Sequence, residues 1–237
     1  MPKNHMKRIA APKTWPIQRK TTAFVMRSDA GKKMELSMPL GLILREILGI
    51  TENARQTKAV LNAGSVLVDG KVRKELRFPV GLYEVVEIAS DKKQFRVGFS
   101  PIGSLSLIPI TAAEKATRLQ KVVSKRIVPG NKLQLGLLSG VVVRMDATAK
   151  NVGAYTVGDS VQLDDKNGVS KHLPLKVGSV VQFIAGKHIG SVGVVESIVG
   201  EKITASVEGS SVETRLDCAV VVGEGKSPSI TVLSKLA

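Results

Sequence analysis

Residues 38–78 read MPLGLILREILGITENARQTKAVLNAGSVLVDGKVRKELRF, and the rest of the chain is organised around them. Over residues 40–48 apolar side chains recur at Leu40, Leu42, Ile43, Leu44, Ile47 and Leu48. This wide apolar face leaves Arg45 and Glu46 outside and predicts a short helix, with Ser37 placed to cap it and Gly49 to end it. Over residues 53–62, Ala54, Thr57, Val60 and Leu61 fall on one side and Arg55, Gln56 and Lys58 on another, with Gly64 as the stop signal. Residues 65–72 predict strand, turn and strand, because Asp69-Gly70 supplies the positive-φ residues of a two-residue hairpin turn. Lys71, Arg73, Lys74 and Arg77 follow directly, so this small helix–helix–hairpin unit is edged with positive charge.

The chain has 237 residues, 43% of them apolar, enough for one large domain or two to three small ones with proper cores. No apolar run approaches the roughly 18–20 residues that cross a bilayer, and Lys3, Lys7 and Arg8 interrupt the N-terminus before a signal core could form. A cytosolic protein with no membrane partner is expected. The one cysteine, Cys218, cannot form an internal disulfide, and its apolar, strand-like surroundings predict a buried core position.

The formal charge of +15 is distributed unevenly. Residues 1–132 hold 25 of the 35 Lys and Arg and ten of the 20 acids, whereas residues 133–237 hold ten of each. A localised positive field calls for a polyanionic partner. Nucleic acid ranks ahead of anionic membrane, because no basic amphipathic helix with exposed bulky apolar residues is present.

Residues 1–33 carry nine basic residues against the single acid Asp29, and Pro2, Pro12 and Pro16 forbid a continuous helix. Residues 1–36 are therefore expected to form an extended or irregular arm that orders when Arg8, Lys13, Arg19, Lys20 and Arg27 meet phosphates. The competing reading is a disordered solubilising tail. Trp15 either stacks on a base or plugs an apolar pocket on the protein's own surface.

Beyond residue 79 the periodicity becomes that of short strands, at 82–89, 93–99 and 104–110. Residues 112–124 read as a helical or irregular crossing which, with Lys115, Arg118, Lys121, Lys125 and Arg126, gives a second basic edge. Strands resume at 132–138 and 140–146, and turns are marked at 158–160 and 165–168. Residues 178–199, GSVVQFIAGKHIGSVGVVESIV, alternate apolar residues around Gly186, Gly190 and Gly193, the pattern of a strongly bent small barrel closed by strands near 201–208, 211–216 and 218–222. Lys187 and His188 occupy its loop and would face RNA or protein, unless the barrel is purely structural. The division expected is an arm (1–36), the helix–hairpin module (37–78), a central β-domain (79–175), the barrel (176–225) and a tail (226–237): an α+β fold, mostly β.

Signals for chemistry are missing. His5, His172 and His188 show no metal-ligand spacing. Gly225-Lys226-Ser227 imitates the end of a phosphate-binding loop, but the first glycine of that motif falls on Val220. Asp164-Asp165 lie in a polar turn and need only solvate it, and Cys218 has no neighbouring base in sequence. No catalytic residue, metal, cofactor or small-molecule substrate is expected. Aromatic residues make up only 3% of the chain, so recognition should rest on phosphates, ribose hydroxyls and RNA shape rather than on reading unpaired bases one by one.

Several stretches resemble known families. The helix–helix–GSVLVDGKV order of residues 40–72 is similar to the compact RNA-binding module named after ribosomal protein S-four, although the same charges would also serve merely to solvate an outer face. HMKRIAAPKTWPIQRK (5–20) and RFPVGLYEVVEI (77–88) resemble the arm and post-module segments of the archaeal and eukaryotic small-subunit ribosomal family S-four-e. Residues 178–199 resemble the KOW motif, which usually builds an SH3-like barrel. Where the family usually carries Gly-Pro-His, this chain has Asp29-Ala30-Gly31-Lys32-Lys33. Taken together, the resemblance implies a structural constituent of the small ribosomal subunit that binds rRNA beside neighbouring ribosomal proteins. It implies RNA contacts from Arg8, Lys13, Arg19 and Lys20 in the arm and from Arg45, Arg55, Lys58, Lys71, Arg73, Lys74 and Arg77 on the module. The alternatives are an RNA-modifying enzyme carrying the module as an appendage and a non-ribosomal regulatory factor of the KOW type.

Overall fold

In the computed structural model, which describes residues 5–89, 93–100, 102–164, 168–207, 209–225 and 228–231, the quoted segment forms two helices and a hairpin. The arm before it contributes β1 (Met6–Lys7) and β2 (Phe24–Val25), an antiparallel pair. Strand β3 (Ser37–Pro39) leads into α1 (Leu40–Leu42), which continues as a π-helical turn over Ile43–Ile47 and stops at Gly49, where φ is +64°. Ser37 does not cap this helix. Pro39 occupies the N-cap, while Ser37 lies buried in β3 with its hydroxyl donating to the Lys33 carbonyl at 2.9 Å.

Helix α2 (Ala54–Asn62) starts at Asn53, and the Gln56 side chain reaches back to accept the N–H groups of Glu52 (3.0 Å) and Asn53 (3.4 Å). Thr57 and Leu61 are its buried residues. Strands β4 (Val66–Val68) and β5 (Lys71–Val72) flank Asp69 and Gly70, whose φ values of +50° and +73° are those of a type I′ hairpin turn. The Asp69 carboxylate also accepts the Val85 N–H at 2.9 Å, which pins the turn to the next strand.

The chain continues with β6 (Pro79–Gly81), β7 (Val85–Ile88), β8 (Lys93–Phe99) and β9 (Leu105–Pro109). Strand β6 pairs with β3, and the hairpin joins the later strands in one five-stranded sheet, β5-β4-β7-β8-β9. The division expected at residue 78/79 therefore does not follow the backbone pairing, because β4 needs β7 to satisfy its second edge. Residues up to 98, with 104–111, form one compact unit; residues 99–103, with those from 112 onward, form another. Met38, Leu40, Leu42, Ile43, Leu44, Leu61, Val66 and Val86 are fully buried in the first unit.

The second unit begins with α3 (Ala112–Lys115) and β10 (Arg118–Val128). The crossing expected over 112–124 is thus a single helical turn followed by an eleven-residue strand. The β-branched pair Val122-Val123 and the run Ile127-Val128 suit a pleated sheet better than a helix. Strands β11 (Lys132–Leu137) and β12 (Val142–Asp146), helix α4 (Ala149–Ala154), β13 (Ser160–Leu163) and β14 (Val169–Leu173) complete a sheet ordered β12-β11-β10-β13-β14. Val122, Leu133, Leu135, Leu137, Val143, Val161 and Leu163 make its core.

Strands β15 (Ser179–Phe183), β16 (Val192–Val199), β17 (Lys202–Val207), β18 (Ser210–Arg215) and β19 (Ala219–Glu224) form a second antiparallel sheet, ordered β18-β17-β16-β15-β19. At Gly193 on β16 a Cβ would stand 2.6 Å from the Ser206 carbonyl oxygen on β17, so the close approach of the two strands there needs glycine. Cys218 is only half-buried, because it ends a 3₁₀ turn (Leu216–Cys218) instead of lying in a strand. The turn expected at 165–168 falls mostly outside the described residues.

Candidate nucleic-acid interface

The first unit holds 19 of the 35 Lys and Arg but nine of the 20 acids. Its cations separate into locked and exposed groups. Arg8, expected to reach for phosphate, is 6% exposed. Its guanidinium donates to both carboxylate oxygens of Glu46, to the Gln18 carbonyl and to the Thr22 hydroxyl (3.3 Å). Arg45 joins the same carboxylate at 2.9 Å. Burial pushes the Glu46 carboxyl up, but hydrogen bonds and charge from Arg8 and Arg45 outweigh it and hold the group below the usual carboxylate range.

Trp15 is 2% exposed, and its indole N–H donates to the carbonyls of Ser37 (2.8 Å) and Met34 (3.1 Å). Of the two readings of Trp15, the pocket on the protein's own surface is the one adopted. Arg19 is spent largely on the arm itself, donating to the carbonyls of Ala11 (2.7 Å) and Pro12 (2.7 Å). The Leu105 N–H donates to the Thr14 carbonyl at 2.6 Å, tying the arm to β9. The arm is thus anchored by its own basic and aromatic residues, in contrast to the unanchored segment expected from composition. In the Asp29–Lys33 stretch, Lys32 pairs with the buried Glu84 carboxylate and donates to the Pro79 carbonyl at 2.8 Å.

Lys13, Lys20, Arg27, Arg55, Lys58, Lys71, Lys74 and Arg77 are exposed. On α2, Arg55 and Lys58 stand one turn apart at exposed positions outside the stripe of Thr57 and Leu61, where two phosphates of one strand can be met together. Arg73 is half-buried, its guanidinium lying 4.4 Å from the centre of the Phe78 ring. Arg45 and Arg77 converge with Arg27 around a cleft of about 400 Å³ that also contains His5 and Phe24. Phe24 is 55% exposed and carried no sequence signal, because the arm has no periodicity from which to assign a face.

In the second unit the expected basic edge is only partly present. Lys121 is 4% exposed, and its ammonium donates to the carbonyls of Leu216 (3.0 Å), Asp217 (3.0 Å) and Ala219 (2.7 Å). It joins β10 to the turn before β19 and is withdrawn from solvent. Lys125 donates to the carbonyls of Val152 (2.6 Å) and Tyr155 (2.7 Å), closing the end of α4. Arg118 is also buried. Arg126 stays exposed, and the register Arg126↔Gln134↔Arg144 sets it on one sheet face with Arg144, a residue the sequence did not single out. Only pairing of three strands reveals that row. Lys187 is exposed and His188 half-buried in the β15–β16 loop.

A buried polar centre ties β13 to the loop after β14. The Asp159 carboxylate accepts the N–H groups of Thr156 (2.8 Å) and Leu175 (2.9 Å), the Thr156 hydroxyl (2.7 Å) and a ring nitrogen contact from His172 (2.9 Å). Burial raises this carboxyl, but those donors together hold it below the usual range. The centre is a fold element, with its carboxylate saturated by local donors. No group of three or more His, Cys, Asp or Glu among the described residues is arranged to hold a metal ion.

Similarity to known proteins extends over nearly the whole chain. Residues 91–168 match the family described as Ribosomal family S4e, and residues 1–31 match the RS4NT domain. Small ribosomal subunit protein eS4 of Methanocella arvoryzae is 38% identical over 197 residues, covering 82% of this chain and 81% of the relative. The eS4 protein of Methanocaldococcus jannaschii is 34% identical over 234 residues, covering 94% and 95%. The crystal structure of 30S ribosomal protein S4e from Thermoplasma acidophilum superposes with a TM-score of 0.68 at 28% identity, covering 81% of this chain and 98% of that one.

Proposed function

This chain belongs to the ribosomal S4e family, and from that premise we propose that it is a structural, non-enzymatic constituent of the small ribosomal subunit, bound to folded rRNA and to neighbouring ribosomal proteins in the cytoplasm. The observation that carries the reading is the pairing of near full-length similarity to eS4 proteins with a charge excess on the first unit of +10 (19 Lys and Arg less nine acids), out of +15 for the chain. Lys13 and Lys20 of the arm, Arg55 and Lys58 of α2, and Lys71, Lys74 and Arg77 after the hairpin turn lie on the protein's surface. Lys and Arg so placed neutralise phosphates and fix position, while specificity comes from holding several charged surfaces in one arrangement. Arg8, Trp15 and Lys121 serve this role indirectly, by fixing the backbone that presents the others. Arg126 on its sheet face and Lys187 with His188 in the β15–β16 loop of the KOW-like unit supply further contacts, to RNA or to a protein neighbour.

Binding of the full chain to a small-subunit rRNA transcript, followed against salt, tests this. Replacing Arg55 and Lys58 together with Ala should weaken binding and reduce the slope of log K against log salt by about 1.4–1.8, the loss of two phosphate contacts. The melting temperature should stay essentially where it was. Unchanged affinity and slope would remove α2 from the footprint.

A further inference from the structure

The cleft between the arm and the residues after the hairpin has a composition that phosphate binding alone does not require. Its charged wall is Arg27, Arg45 and Arg77, and its apolar surfaces are Phe24 and Leu76. Phe24 sits on β2, paired across the strand with Lys7, whose ammonium is 5.8 Å from the ring centre. His5 packs edge-on against the same ring at 5.6 Å. A phenylalanine left 55% exposed on a two-residue strand contributes little to any core. Its presence among cations is the arrangement that takes an unstacked base beside its own phosphate.

The position is built. The Asp29 N–H donates to the Arg77 carbonyl at 2.9 Å, and the Gly41 N–H donates to the Leu76 carbonyl at 2.8 Å, so both sides of the cleft are hydrogen-bonded to the same segment. A Cβ on Gly41 would stand 2.9 Å from the Met26 sulfur and 3.1 Å from a Leu76 methyl, so these two lining side chains pack closely over the glycine. Arg45 is oriented by Glu46, which leaves its position fixed before any ligand arrives. At about 400 Å³ the space lies in the range of ~300–1,000 Å³ that holds single small ligands, and it cannot admit a helix.

We infer that this cleft captures one nucleotide extruded from a bulge or loop of the bound RNA, its base against Phe24 and its phosphate between Arg45 and Arg77. The inference rests on the proposed RNA binding and assigns it a base-sized site. Here an aromatic ring selects RNA that can present an unpaired residue, whichever base it is, since every base has a face to stack.

The test uses the full chain and two RNA hairpins that differ only in a single bulged nucleotide in the stem. The parent protein should bind the bulged hairpin about tenfold more tightly, the amount one base–aromatic stack supplies. Phe24→Leu should abolish the preference while leaving affinity for the unbulged hairpin and its salt slope intact, and Phe24→Tyr should keep the preference. Arg77→Gln should weaken both, and should Phe24→Leu not fold, Phe24→Met gives the second reading by losing the preference. Equal binding of the two hairpins, or a preference that survives in Phe24→Leu, overturns the inference and leaves the phosphate-binding reading standing. Salt-independent or absent binding of both hairpins overturns the two together.

Discussion

Glu46→Gln separates the part of the basic arm that holds the fold from the part that faces RNA. The carboxylate is the shared acceptor for Arg8 and Arg45, and the side chains of Arg8 and Glu46 are 7% and 19% exposed. Gln keeps one acceptor oxygen but loses the charge and turns a donor amide toward a buried guanidinium, which otherwise has only one backbone carbonyl and one threonine hydroxyl. Breaking a fully buried pair costs about 3–5 kcal/mol; the residual exposure of Glu46 brings this to roughly 2–4 kcal/mol. For a chain of this size that is a fall in melting temperature of about 5–15 °C, read by calorimetry or circular dichroism. Because the folded carboxyl is held below its unfolded value of about 4.3, its contribution is complete above that pH and disappears as pH falls through the folded value. The gap between parent and variant should therefore be constant near neutrality and narrow only in acid. Below the melting transition, the salt slope of RNA binding should be unchanged, since no cation has been removed. A melting temperature within 1 °C of the parent, or a gap unchanged in acid, would refute the claim that Arg8 is a structural anchor.

Lys121→Met keeps the aliphatic stem but withdraws the donor from three carbonyls, and should lower the stability of the second unit by about 2–4 kcal/mol with RNA affinity of the folded protein unchanged; proteolysis or denaturant titration reads it. If Lys121→Met instead weakens RNA binding and leaves stability alone, the buried placement is wrong. Gly41→Ala sets about 1 kcal/mol of improved helix propensity against overpacking of about 1–3 kcal/mol where the new Cβ meets Met26 and Leu76, so a net loss is expected in denaturant unfolding. A stabilised Gly41→Ala would show that Met26 and Leu76 yield freely.

The helices and hairpin were legible because their signals are local. The apolar periodicity of 40–48, the glycines at 49 and 64 with positive φ, and the Asp69-Gly70 turn all act within a few residues. The exposed faces of α2 followed from the same periodicity, which is why Arg55 and Lys58 stand on the surface as expected. Burial of cations did not follow, because it depends on partners far away in sequence. Arg8 finds Glu46 38 residues on, and Lys121 finds its carbonyls 95 to 98 residues on. Density of charge in the arm suggested a free polycation, yet two of its prominent residues, Arg8 and Trp15, close the structure. The strand at 118–128 was missed because its many basic residues masked a β-branched run whose lysine stems are partly buried. The Arg126–Gln134–Arg144 row and the Phe24 cleft exist only once strands are in register, and composition carries no trace of register.

The most direct test is sedimentation of the endogenous protein through gradients at moderate and high salt, quantified against small-subunit rRNA. About one copy per small subunit, retained through the high-salt wash, is the expected result. Substoichiometric protein that washes to the top of the gradient would contradict a structural place in the subunit and point to a transient factor.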